Sequence, residues 1–170
     1  MSADIYWIRD VPHGRLAILG RPRADDWLPD EIADWKAAGL TDVVSLLQHH
    51  EVRELGLTHE ADIARQLGLS FEEFPIPDRV VPQSIEAALA LWARIETQIR
   101  KGGAVGVHCR ASVGRAGLMT AGVLMCLGSA ENEAWRRASA ARGRPLPDTN
   151  EQRLWVAAAL RRGRVDRIAT

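Results

Sequence analysis

Cys109 is followed six residues later by Arg115, in the run Val107-His108-Cys109-Arg110-Ala111-Ser112-Val113-Gly114-Arg115-Ala116-Gly117. A cysteine thiolate is a strong nucleophile, and a guanidinium presents a planar fork that matches two oxygens of a phosphate. The residues between them bring backbone N–H groups. If the stretch curls, those amides surround an anion, and oxygens that gain charge during a reaction meet donors already in place. The pattern reads as a nucleophile, Cys109, a clamp, Arg115, and a phosphate-binding loop of Arg110, Ala111, Ser112, Val113, Gly114 and Arg115.

Cleaving a phosphate ester also calls for a proton donor to the leaving oxygen. Asp78 fits, because it sits in Pro75-Ile76-Pro77-Asp78-Arg79, a loop stiffened by proline. His108, next to the cysteine, reads as a residue that orients the loop and tunes the thiol rather than one that moves protons. Cys126 lies farther along the helix predicted after the loop, about 15 Å beyond Ala116 at 1.5 Å per residue, and reads as core rather than as a partner for Cys109.

The elements around this run are suited to hold it. Ala104–Val107 is short, apolar and uninterrupted, as a strand buried on both faces is. A helix is predicted from about 115 to 127. A loop between a buried strand and a helix N-terminus is a ready site for an anion, and the same field favours the thiolate of a cysteine placed there. Further strands are expected at 5–10, 15–19, 42–47 and 69–76, and helices at 28–39, 59–67, 84–101, 131–142 and 150–162. The helix that starts at Ser84, its N-cap, carries an apolar stripe of Ile85, Leu89, Trp92, Ile95 and Ile99 at a 3.6-residue period. Strands alternating with helices predict a single α/β domain over 1–170, with a twisted, mainly parallel sheet of about five strands flanked by helices.

Composition narrows the function. With 22 basic and 22 acidic residues among 170, the formal net charge is zero, which argues against a nucleic-acid or polybasic membrane binder. The two cysteines cannot build a disulfide framework, and there is no CxxC or His/Cys cluster. No metal and no cofactor are expected. The first ten residues carry Asp4 and Asp10 and no apolar run, so they do not read as a signal peptide, and the apolar stretch around 117–128 is too short to span a bilayer. A reducing cytoplasm is the expected setting for a reactive thiol.

These residues resemble the protein tyrosine phosphatase superfamily, and within it the compact dual-specificity phosphatases, above all the group of the cyclin-dependent kinase inhibitor-associated phosphatase. His108, Cys109, Gly114 and Arg115 match the superfamily's signature loop, and Asp78 matches its mobile acid loop. Asp148-Thr149-Asn150-Glu151-Gln152 resembles a late segment that, in related bacterial proteins, brings a glutamine near the site. The resemblance covers roughly residues 12–158. It implies a twisted parallel sheet between helices, a phosphocysteine intermediate, no metal, and phosphorylated protein as the partner. Two positions depart from the pattern: Ser112 stands where glycine is usual, and Ala116 where serine or threonine is usual. Ala116 is shared with the regenerating-liver phosphatases, a group that turns over slowly. Three other readings remain open: a non-protein substrate such as a phosphoinositide, a nucleotide or an RNA 5′-triphosphate; a phosphate-binding module with little turnover; and a sulfurtransferase of the rhodanese type, which would have no use for Asp78.

Overall fold

A strand that is apolar on both sides needs cover on both sides, and the chain supplies helices for each. The structure, a computed structural model, describes residues 4–168. The expected domain extent of 1–170 also takes in 1–3 and 169–170, which lie outside the described residues. Five strands form one sheet: β1 (Ile5–Trp7), β2 (Arg15–Leu19), β3 (Asp42–Ser45), β4 (Ser70–Glu73) and β5 (Ala104–His108), in the spatial order β1-β2-β5-β3-β4. β1 runs antiparallel to β2, and the other pairs are parallel. β5 is central and buried along its whole length, as its apolar run predicts.

Side chains alternate along each strand, so one strand feeds two cores. Leu16 and Ile18 of β2, with Val105 and Val107 of β5, face helices α4 (Ile85–Arg100), α5 (Gly114–Cys126), α6 (Glu131–Arg142) and α7 (Asn150–Ile168). Ala17 and Leu19, with Val43 of β3, face α1 (Leu28–Ala37) and α3 (Glu60–Gln66), where Ile32, Trp35 and Ala64 complete a second core. The mainly parallel, two-sided α/β architecture expected from the sequence is the one observed.

Several boundaries differ from expectation. The strands predicted at 42–47 and 69–76 pair only as far as Ser45 and Glu73. Leu46, Leu47 and Ile76 beyond them are buried; Leu46 still donates to the His108 carbonyl and accepts from the Ile76 N–H, but the strands end there. On α4 the stripe is rotated: Ala88 and Leu91 are buried with Trp92, Ile95 and Ile99, while Ile85 and Leu89 are half-buried. Leu89 instead meets α7, where a Cβ on Gly163 would fall 2.9 Å from its Cδ2. Gly163 therefore marks a close helix contact rather than a stop, and α7 runs six residues past the predicted end at 162. A short helix, α2 (His49–Glu54), has no apolar period and was not expected.

Candidate active site

In an open α/β sheet, ligands sit beyond the carboxyl ends of the strands. Cys109 leaves β5 at that edge and Gly114 opens α5, so the five residues from Cys109 to Val113 span the gap between strand end and helix start. Val113 gives α5 no side-chain cap, which leaves the first-turn N–H groups of the helix to the loop's interior. Cys109 and Ala116 are both buried in the core on the α4–α7 face. His108, by strand alternation, points to the opposite face. Its Nε2 lies 2.9 Å from Glu60 Oε1, its ring centre is 6.0 Å from that of Trp35, and its carbonyl accepts from the Leu46 N–H at 3.0 Å. Its carbonyl thus ties the end of β5 to Leu46, beneath the cysteine.

Ser112 explains one departure from the signature. Its φ is +54°, the left-handed region where glycine is at ease and a serine is strained by roughly 1–2 kcal/mol. Its hydroxyl donates to the Leu19 carbonyl at the end of β2, which offsets part of that strain. The hydroxyl's one proton is thereby committed away from the Cys109 sulfur. Gly114 is required for space. A Cβ there would fall 2.1 Å from Asp148 Oδ2 and 3.0 Å from Gln152 Nε2. That contact places the late segment directly over the loop.

Arg115 is 1% exposed and its guanidinium is shared out by edges. Nη1 and Nη2 donate to the two carboxylate oxygens of Glu51 at 2.6 and 3.0 Å, and Nη1 also donates to the Ile76 carbonyl at 3.0 Å. Asp78 Oδ1 lies 3.2 Å from Nη2. Nε is buried and has no protein acceptor, so the Nε–Nη2 edge is the one left for two oxygens of an anion, at the place Asp78 now borders. Burial works against the charged guanidinium, but Glu51, the Cys109 sulfur and Asp78 outweigh it and hold its pKa above the ordinary arginine value. Arg110, by contrast, is exposed and forms a two-pronged pair with Glu54 at 2.8 and 3.3 Å. Gln152 is fully buried. Thr149 Oγ1 accepts from its N–H and its Oε1 accepts from the Thr149 N–H, a capping box at the start of α7, while Nε2 donates to Val80 of the acid loop at 3.3 Å.

The structure therefore brings Cys109, Arg115, Asp78, Asp148 and Gln152 together. It adds two residues that sequence reading did not find. Arg142 donates to the loop carbonyls of Ser112 and Ala111, and Glu51 holds Arg115. Glu51 also accepts the Gln48 N–H at 2.9 Å, closing the first turn of α2. A Gln-x-x-Glu spacing ahead of α2 was the available signal for it. Burial pushes the Glu51 carboxyl up, but Arg115 and the Gln48 N–H outweigh this and hold it below the usual carboxylate range. A carboxyl lowered in the folded state stabilises above its unfolded value, and that contribution is lost as pH falls through the folded one. Glu51→Gln removes the buried counter-charge of the guanidinium and leaves it only the exposed Asp78, so it is expected to cost up to about 3–5 kcal/mol near neutral pH, and less as the solution is acidified. Urea melts across that range check both the size and the slope. Among the described residues, no group of three or more His, Cys, Asp or Glu is placed to hold a metal ion.

This loop, at the carboxyl end of a central parallel strand, belongs to the fold of the dual-specificity phosphatases. The kinase associated phosphatase (KAP), solved with its catalytic-site cysteine changed to serine, superposes with a TM-score of 0.82 over 92% of this chain and 93% of that one. Its identity of 18% shows the fold and does not reach the particular group suggested by the sequence. Tk-PTP in its active form is 28% identical, with a TM-score of 0.71 over 94% of this chain and 95% of its own. Human DUSP28 is 20% identical, with a TM-score of 0.64 over 87% and 94%. Among curated proteins, none matches the chain in sequence. The family model described as "Polymorphic toxin system, DSP-PTPase phosphatase" matches residues 19–129, and the chain belongs to that family. No helix among the described residues is long and apolar enough to cross a membrane.

Proposed function

We propose that the chain hydrolyses phosphomonoesters on proteins, phosphotyrosine foremost and phosphoserine and phosphothreonine with it, through a phosphocysteine intermediate, in the reducing cytoplasm. The observation that carries this is the convergence on Arg115: the Cys109 sulfur and Asp78 both act on its guanidinium, with Asp78 Oδ1 3.2 Å from Nη2. The Cys109 thiolate attacks phosphorus in line as the ester P–O bond breaks, and Asp78 gives its proton to the leaving oxygen. Water then attacks phosphorus with Asp78 as base, the S–P bond breaks, and the thiolate and inorganic phosphate are released. The loop amides and Arg115 supply the positive charge, so no metal takes part. Gln152, both of whose side-chain ends are engaged, fastens the acid loop to the start of α7 beside the phosphate loop.

The positive charge at the site supports a substrate with one phosphate. Arg110 pairs with Glu54 and Arg115 with Glu51, so part of the loop's positive charge is already balanced, which favours a singly phosphorylated substrate over a phosphoinositide or a triphosphate. The test is wild-type turnover on p-nitrophenyl phosphate, a phosphotyrosyl peptide, a short-chain phosphoinositide, an RNA 5′-triphosphate, and thiosulfate with cyanide. Hydrolysis of the first two is the expected result. Preference for the phosphoinositide or triphosphate would overturn the substrate class, sulfur transfer the reaction, and phosphate binding without any turnover the enzyme reading itself.

Ala116 sets an expectation for the rate. A hydroxyl at this helix start can donate to the sulfur as it leaves phosphorus bearing negative charge, and alanine cannot. Ser112 does not replace it, because its hydroxyl is bound to Leu19. A hydrogen bond to a charged group is worth about 1.5–3 kcal/mol, which slows thiolate departure by roughly 10- to 150-fold. Pre-steady-state mixing with a good aryl phosphate should therefore show a burst of one product per site and then a slow phase. Ala116→Ser should raise kcat and leave kcat/KM nearly unchanged. A wild type without a burst, together with an unaltered kcat in Ala116→Ser, would place the slow step elsewhere.

A further inference from the structure

Arg142 ends α6, outside the phosphate loop, yet it holds the loop from behind. Its Nε donates to the Ser112 carbonyl at 2.9 Å and its Nη2 to the Ala111 carbonyl at 3.3 Å. The guanidinium carbon rests 4.4 Å from the ring centre of Tyr6 on β1, and the Tyr6 hydroxyl donates to Asp4 Oδ2 at 3.0 Å. A peptide unit is planar and trans, so a carbonyl and the N–H that follows it point to opposite sides. The Ala111 carbonyl shares its plane with the Ser112 N–H, and the Ser112 carbonyl with the Val113 N–H. Drawing both carbonyls onto Arg142 therefore turns both N–H groups away from it, into the loop.

We propose that Arg142 is a positioning residue that aims the Ser112 and Val113 amides at the phosphate, and that the Tyr6 ring seats it. This rests on reading the loop as a phosphate site. Ser112, at φ +54°, is where the chain is most easily rearranged: relaxing that angle rotates an adjoining peptide unit and presents a carbonyl oxygen, not an N–H, to the anion. Two tethers oppose this, the Ser112 hydroxyl on Leu19 and the Arg142 fork on the two carbonyls. The fork matters beyond its charge. A planar guanidinium spans two acceptors at once, whereas an ammonium on a flexible stem is a point charge. Arg142 touches no reacting atom, and its effect passes through the amides alone.

The test compares Arg142→Ala, Arg142→Lys and Tyr6→Leu with Arg136→Ala, a control at an exposed arginine of α6 that pairs with Glu133. Inorganic phosphate binding by calorimetry, kcat and KM on an aryl phosphate, and melting temperature are read together. Arg142→Ala should weaken phosphate binding on the order of tenfold or more and lower kcat as well. Arg142→Lys, which keeps the charge, should recover only part of this, Tyr6→Leu should fall between it and wild type, and Arg136→Ala should match wild type. A folded Arg142→Ala with wild-type phosphate binding and kcat overturns the proposal, as does full recovery by lysine, which would reduce the effect to charge. If Arg142→Ala does not fold, Arg142→Lys decides: wild-type phosphate binding and kcat in that variant overturn the aiming role, and a loss in both supports it. A wild type that neither binds phosphate nor turns over the ester overturns the phosphatase reading and this one with it, an outcome distinct because it needs no variant.

Discussion

Cys109→Ser should reduce turnover to the background rate of ester hydrolysis while leaving the anion site intact. A neutral serine hydroxyl is a far poorer nucleophile than a thiolate, and Asp78, needed in this step as the acid for the leaving oxygen, cannot also take its proton, so the step that forms a bond to phosphorus is lost. The binding apparatus is separate from the sulfur: the loop amides, the uncapped start of α5 and the Nε–Nη2 edge of Arg115 all remain. Inorganic phosphate should therefore still bind the variant. Calorimetry with phosphate and a steady-state assay give the two readings. The same reasoning expects iodoacetate to alkylate Cys109 in the wild type and phosphate to protect it. Substantial hydrolysis by pure Cys109→Ser would sink the covalent mechanism, whatever the fold.

Asp78→Asn should split substrates by their leaving groups. Removing a general acid or base commonly costs about 10²–10⁴-fold, and an alkyl phosphate, whose alkoxide must be protonated as it leaves, should bear that cost in full. An activated aryl phosphate releases a stable phenoxide and should lose far less in its first step. The geometry adds a second expectation. Asp78 Oδ1 lies 3.2 Å from Arg115 Nη2, on the edge an anion would take, so substrate and carboxylate compete for it. Asparagine removes the competing charge. KM should hold or fall while kcat drops, a combination that simple damage to the loop would not give. Equal losses in kcat/KM, which reports the first step, on both substrates would transfer the acid's role elsewhere, and Asp148, whose carboxylate lies against Gly114, would be the next to replace.

The parts of this site that the sequence makes legible are those written locally. Cys109, Arg115 and the amides between them lie within one strand-loop-helix unit, and Asp78 announces itself by the two prolines, Pro75 and Pro77, just before it. Ser84 and the helix it caps, the buried β5 and the alternation in β2 are likewise local patterns, and they lead to the right architecture. What escapes notice is written across distance. Glu51 reaches Arg115 across 64 positions, Arg142 reaches Ser112 across 30, and Ser112 reaches Leu19 across 93. Nothing in His49-His50-Glu51-Val52-Arg53-Glu54 marks one glutamate as buried and the other as exposed. α2 is too short to show a period, and its first turn is closed from a glutamine rather than the usual serine or threonine. The rotated stripe on α4 is a related failure. Periodicity says that one face of a helix is apolar, but the neighbours, here α5 and α7, decide which residues of that face lie deepest.

Those same separations govern when the site can exist during synthesis. A ribosome releases this chain from its N-terminus, and the signature loop emerges well before Arg142 and Gln152. At that moment Glu51 can already pair with Arg115, but the outer tether on the loop carbonyls and the fastening of Val80 are still to be translated. The cysteine thus leaves the exit tunnel ahead of the groups that shape its surroundings. A nascent chain stalled before α6 would carry every residue of the motif in an unfinished cradle. The tethered form of the loop, on this reading, arrives only once Arg142 and the start of α7 have been made.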